Sequence, residues 1–171
     1  SCPPADRFLT ELSKRDNLIT LSCHVNYWDK MRWRDPLSLE SCTTRQRNYV
    51  QKLESGRLFT PNMVINGVSS FVGHDKINIM MELFKPDNKT VLKRGELTYS
   101  FHGHRLSYSL PDTIGRQNAK YDLTLFAVNT QQVQRVLNGP YKNKKLLYTD
   151  TVIDVRDLVA WDGKAMTGTL S

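Results

Sequence analysis

At 171 residues the chain is long enough to bury a core and short enough for one domain or two small ones. Hydrophobic residues make up 39% and charged residues 24%, and no apolar run approaches the length of a bilayer crossing, which excludes a transmembrane segment. The net charge is +7, but the Lys and Arg residues are scattered, the longest cluster being Lys142-Asn143-Lys144-Lys145, and no nucleic-acid motif accompanies them, so nucleic acid is not expected as a partner.

The chain begins at Ser1 with neither an initiator Met nor an apolar leader, which reads as a cut end. Cys2 is followed by Pro3-Pro4, whose missing N–H groups and fixed φ suit the first turn of a helix. From there Ala5, Phe8, Leu9 and Leu12 fall at i, i+3, i+4 and i+7, one face of a helix over Pro3 to Lys14. Cys2 is thus expected at a helix start, where unpaired N–H groups and the positive dipole end favour the reactive thiolate.

Asp16-Asn17 breaks this helix, and the largely apolar run Leu18 to Val25 is expected to be a buried, parallel strand. It delivers Asn26, Tyr27, Trp28 and Asp29 into a loop that continues through Trp33, Asp35 and Pro36, dense in aromatic and charged residues as site loops are. Thr43 and Gln46 have the spacing of a capping box, predicting a second helix from about Thr43 to a stop at Gly56. Asn66-Gly67 between two strand-like runs predicts a type I′ hairpin. A third helix follows Gly73-His74-Asp75, with Ile77, Met80, Met81 and Phe84 as its apolar face, and Lys85-Pro86-Asp87-Asn88 ends it.

Beyond residue 88 the pattern turns to short alternating runs, 97–101, 106–110, 121–128, 132–137 and 146–155, with turns at His102-Gly103, Pro111-Asp112 and Asn138-Gly139-Pro140. The division expected is 1–87 and 88–171, the second part a small antiparallel β-sandwich. Helix, strand, helix, hairpin, helix in the first part is the order of a thioredoxin-like α/β domain once a strand is added before Ser1. In that order Thr60-Pro61 falls where a cis-proline opens the hairpin beside the reactive cysteine.

Taken together, Cys2-Pro3-Pro4-Ala5-Asp6, His24-Val25-Asn26-Tyr27-Trp28-Asp29, Trp33-Arg34-Asp35-Pro36, Thr44 to Tyr49 and Thr60 to Gly67 resemble a family of secreted bacterial thioredoxin-like proteins of unknown function. The likeness is dense in the first half and looser in the second, through Leu146-Leu147-Tyr148, Val152-Ile153 and Trp161-Asp162-Gly163. It implies a thioredoxin-like domain followed by a β-rich one, a periplasmic or secreted location, and a Cys-x-x-Cys pair whose second member corresponds to Cys2 and whose first lies just upstream of Ser1. Where that family usually has Asp this chain has Asn26, which removes a carboxylate from the neighbourhood of the cysteine.

Thiol–disulfide exchange needs an attacking thiolate and a resolving cysteine. Cys2 is read as the resolving member, with Thr60 and Pro61 holding substrate and His24 tuning the thiolate or shuttling a proton, or, without an upstream cysteine, as a lone structural thiol at the helix start. Asn26, Tyr27, Trp28, Asp29, Trp33 and Asp35 are candidates for a wall beside it, joined by Arg45 and Gln46 from the second helix. Protein or small-molecule thiols and disulfides are the expected partners. His24 is equally readable as a hydrogen-bonded histidine within the sheet, and the Trp and Arg-Asp residues as ordinary loop packing. Cys23 and Cys42 either pair or stay free, since the sequence does not give the separation of their Cα atoms. His74, His102 and His104 lack metal-ligand spacing, and no phosphate loop or Ser/His/Asp signature is present, so neither metal nor cofactor is expected. The alternative to an enzyme is a non-enzymatic binding module, with an apolar groove lined by Trp28, Trp33 and Tyr49 over a buried Cys2.

Overall fold

Three helices and seven strands form among the described residues, 2–30, 34–54, 56–85, 97–112, 121–138 and 141–170, of the computed structural model. The first helix, α1 (Pro3–Leu12), starts where the prolines predict it, with Cys2 as N-cap in extended conformation. The Cys2 carbonyl accepts the N–H groups of Ala5 and Asp6 at 2.9 and 3.0 Å. Ala5, Phe8 and Leu12 are the buried face, as the periodicity requires.

The second helix, α2 (Glu40–Lys52), begins three residues before the capping-box expectation, with Leu39 as N-cap and no side-chain cap. Thr43 is therefore inside the helix, fully buried, and free to bond elsewhere. Strands β1 (Asn62–Ile65) and β2 (Ser69–Val72) pair antiparallel. Asn66 and Gly67 both take positive φ, +51° and +70°, the signature of the predicted turn. Ile65 pairs with Ser69, so Val68 is an extra, exposed residue in the connection.

The third helix, α3 (Lys76–Leu83), is capped by Asp75, whose side chain accepts the Asn78 N–H. Its buried side differs from the predicted one. Ile77, Met81 and Phe84 are 75, 64 and 64% exposed, whereas Ile79 is wholly buried. Ile79 joins Phe8, Leu12 and Ile65 in a core that Leu18, Met63, Phe71, Met80 and Leu83 pack against. Apolar residues occupy both sides of this helix, so periodicity alone offered two faces.

Strands β3 (Thr98–His102), β4 (Arg105–Leu110) and β7 (Met166–Leu170) make one antiparallel sheet in the order β3-β4-β7. The two short strands expected at 121–128 and 132–137 are one continuous strand, β5 (Tyr121–Arg135), which pairs with β6 (Lys145–Trp161). The chain clusters into two compact units, Ser1–Phe84 with Phe126–Val155, and Lys85–Leu125 with Arg156–Ser171. The proposed break at 86–88 and the residues Gly139-Pro140 lie outside the described residues.

The expected α/β thioredoxin-like domain followed by an all-β antiparallel sandwich is overturned. The described residues are dominated by strands, arranged in three small antiparallel sheets with three helices. The decisive stretch is 18–25, expected as a buried central strand. It makes only isolated parallel bridges, Ser22 to Thr151 and His24 to Ser38, and leaves Ile19 84% exposed. Without a continuous ladder there, β1 and β2 remain a separate two-stranded sheet and no larger parallel sheet is assembled among the described residues. No helix among the described residues is long and apolar enough to cross a membrane.

Candidate functional site

Gly73, directly after β2, brings the start of α1 to the Thr60-Pro61 peptide. Its N–H donates to the Pro61 carbonyl at 2.9 Å. A Cβ on Gly73 would stand 3.0 Å from Pro61 Cβ and 3.3 Å from Ala5 Cβ, so the backbone approaches both because there is no side chain. Ala5 lies in the first turn of the helix that Cys2 caps, and Cys2 carries a free, partly exposed thiol. The Thr60-Pro61 bond is cis, as its place in the sequence suggested.

Thr60 also anchors the aromatic loop. The half-exposed Trp28 donates Nε1–H to Thr60 Oγ1 at 3.0 Å. Its ring lies 5.3 Å from that of Tyr27, tilted by 50°. The Tyr27 hydroxyl donates to Gln46 Oε1 at 3.2 Å, and Gln46 Nε2 donates to the Phe59 carbonyl at 2.7 Å. Burial pushes the Tyr27 phenol above its ordinary pKa, against the lowering effect of its bonds to Gln46 and Thr60, so it stays protonated as a donor. Asn26 fixes the start of the loop. Its N–H donates to Thr43 Oγ1 at 3.0 Å, and that hydroxyl donates back to Asn26 Oδ1 at 2.7 Å. Asn26 Nδ2 donates to Glu40.

A second cluster holds the far end of the loop. His24 Nδ1 and Asp35 Oδ2 are 2.7 Å apart, and the edge of the imidazole meets the buried Tyr148 ring at 4.6 Å and 84°. For Asp35, burial raises the carboxyl pKa, but the hydrogen bond and charge of His24 and the Leu37 N–H outweigh it, and the net shift is downward. Asp29 accepts from the Asp35 N–H at 3.1 Å and from the Ser38 hydroxyl at 2.7 Å. The Leu39 N–H donates to the His24 carbonyl at 3.0 Å. Cys23 and Cys42 form a disulfide with Cα atoms 5.4 Å apart, clipping the start of this loop to α2.

The candidate residues thus fall into distinct groups. Thr60, Pro61, Trp28, Tyr27 and Gln46 are joined, with Ala5 bringing the Cys2 end of α1 to Pro61. His24, Asp29 and Asp35 form a separate network braced by Ser38 and Tyr148, and Asn26 is bound to α2. Arg45 turns elsewhere, its guanidinium between the rings of Tyr49 and Phe126 at 5.3 and 5.0 Å. Trp33 lies outside the described residues. Sequence reasoning missed Gly73, Thr43, Ser38 and Tyr148. Gly73 was legible only as a helix opener, and the other three act through partners distant in the chain. Among the described residues no group of three or more His, Cys, Asp or Glu is placed to hold a metal ion.

Chemically, this arrangement offers a free thiol at a helix start, a hydroxyl and a cis-proline close to that helix, and an aromatic wall half open to solvent. Such a thiol can attack a disulfide sulfur or resolve a mixed disulfide.

The chain is similar to a crystal structure of a protein from Agrobacterium tumefaciens determined in a structural genomics programme. The TM-score is 0.78 with 27% identity, over 99% of this chain and 71% of the other. No curated protein matches it. A family model matches residues 1–171, the whole chain, and the chain therefore belongs to the family described as protein of unknown function, DUF1223.

Proposed function

We propose that the protein takes part in thiol–disulfide exchange, as an oxidoreductase or redox-sensing protein, with Cys2 as the second, resolving thiol of a Cys-x-x-Cys pair. The observation that carries this reading is the contact through Gly73, which brings the first turn of the Cys2 helix against Pro61 while leaving the thiol free. In the exchange, the first thiolate of the pair attacks a substrate disulfide and forms a mixed disulfide. The Cys2 thiolate then attacks the protein sulfur of that bond, and the substrate leaves as a thiolate while the pair becomes a disulfide. Protein or small-molecule thiols and disulfides are the partner class.

Export to the periplasm or beyond accords with this chemistry, and the Cys23–Cys42 bond supports it because disulfides persist in oxidising compartments. A purely structural binding role would call for Cys2 buried beneath Trp28 and Tyr49. The half-buried, free Cys2, and the packing of Tyr49 against Arg45 and Gly67, favour exchange instead.

The test is trapping. Protein carrying its native residues before Cys2 is incubated with a model disulfide such as oxidised glutathione, with and without Cys2→Ser. The expected result is that the variant accumulates a glutathione adduct, seen by mass spectrometry, that the native protein clears. Equal behaviour of the two proteins would sink the reading.

A further inference from the structure

The Cys23–Cys42 disulfide plays no part in the exchange just described, yet it closes the segment that carries the aromatic wall. Cys42 is buried in α2 and Cys23 is partly exposed. Between them, side-chain links dock the start of the loop on the rest of its unit: Asn26 with Thr43 and Glu40, Tyr27 with Gln46, and Trp28 with Thr60. Hydrogen bonds of this kind keep little net stability because water competes for both partners. Trp28 is 49% exposed, so little apolar burial reinforces its link. The covalent tie next to His24 therefore holds the wall where those links can form.

We propose that Cys23–Cys42 is a redox-controlled clamp on the wall formed by Tyr27 and Trp28. Oxidised, it keeps the two rings over Gln46 and Thr60. Reduced, it lets residues 26–29 open locally and releases the Thr60 hydroxyl beside Pro61 from Trp28. The reductant is a dithiol. One of its thiolates attacks Cys23 Sγ, the more accessible sulfur, forming a mixed disulfide and releasing the Cys42 thiolate, which takes up a proton. The second thiolate of the reductant then attacks the reductant sulfur of that bond. The reductant leaves as a cyclic disulfide and Cys23 is released as a thiol, so two electrons and two protons reach the cysteine pair. The clamp rests on the exchange reading only for what its opening would serve.

The experiment uses protein with Cys2→Ser and with the upstream cysteine of the exchange pair also replaced by Ser, so that every titratable thiol belongs to Cys23 and Cys42 and exchange activity is irrelevant. This variant, folded and without denaturant, is treated with dithiothreitol, thiols are counted, and amide hydrogen exchange is followed. Two thiols should appear, and the amides of Asn26 and Asp29 should exchange roughly tenfold faster through openings well below the global unfolding free energy, while those of Ile65 and Ile79 in the core should follow that global free energy, measured by denaturant titration of the same reduced protein. The double variant Cys23→Ser/Cys42→Ser should show the same pattern without reductant. A disulfide that resists dithiothreitol, unchanged exchange at Asn26 and Asp29, or exchange there that needs the same global unfolding as the core would each overturn the clamp. If the clamp behaves as expected while the glutathione trapping fails, the exchange reading falls alone.

Discussion

Gly73 has room for a hydrogen and little else, because Pro61 and Ala5 approach its backbone from two elements. Adding one methyl there overpacks the junction between α1 and the β1–β2 hairpin. Gly73→Ala is expected to cost about 1–3 kcal/mol in urea unfolding, since neither the proline ring nor the helix backbone can swing aside as a long side chain would. At Asp35 the residue-scale effect is electrostatic. Its folded-state pKa lies below the ordinary value, because the His24 bond and charge and the Leu37 N–H outweigh the opposing effect of burial. A carboxyl with a depressed folded pKa contributes stability that is complete above the unfolded pKa, near 3.9, and is lost as pH falls through the folded value. Urea midpoints measured from about pH 6 down to pH 2 should therefore fall less steeply at the acid end in Asp35→Asn than in the native protein.

At the scale of elements, α3 shows how a helix is easily read and its orientation is not. Its existence follows from the Asp75 cap and the periodic apolar residues around it. Its buried side follows from where Phe8, Leu12 and Ile65 happen to lie. Two substitutions distinguish the sides. Ile79→Ala should cost about 2–5 kcal/mol through lost packing and a residual cavity, whereas Met81→Gln on the exposed side should stay within about 0.5 kcal/mol. Equal effects in denaturant titrations would mean that the helix is rotated from the described orientation. In α2 the Thr43 hydroxyl, predicted as a cap, instead bonds Asn26 from inside the helix. Local spacing identified a hydrogen-bonding threonine and assigned it the wrong partner, because Leu39 already occupies the N-cap.

At the scale of the molecule, the Cys23–Cys42 bond joins residues 19 apart and removes loop-closure entropy from the unfolded chain. On that ground Cys23→Ser/Cys42→Ser should lose about 3 kcal/mol of unfolding free energy. Guanidinium titrations of the disulfide-bonded protein and of the double variant measure this directly, and an unchanged midpoint would mean that the unfolded chain is not restrained by the bond. The stretch of residues 18–25 belongs to this scale too. Its composition is that of a central strand, but a strand is made by its neighbours, and Ser22 and His24 find only single bridging partners. An apolar, β-branched run therefore came out largely unpaired, and the expected sheet was not built around it.

What the sequence alone determined were features whose causes lie within a few residues. They are the helix start at Cys2-Pro3-Pro4, the positive-φ turn at Asn66-Gly67, the cap at Asp75 and the hairpin through His102-Gly103. Each depends on backbone sterics or on hydrogen bonds to the next turn, which any chain carrying those residues would meet. Only the tertiary structure decided which face of α3 is buried, that Cys23 meets Cys42, that β7 completes the β3-β4 sheet, and that Gly73 seats Pro61 beside the helix begun at Cys2. Those outcomes join residues far apart in the chain. Their free energies come from excluding water and filling space between elements, and no local pattern specifies which elements will meet.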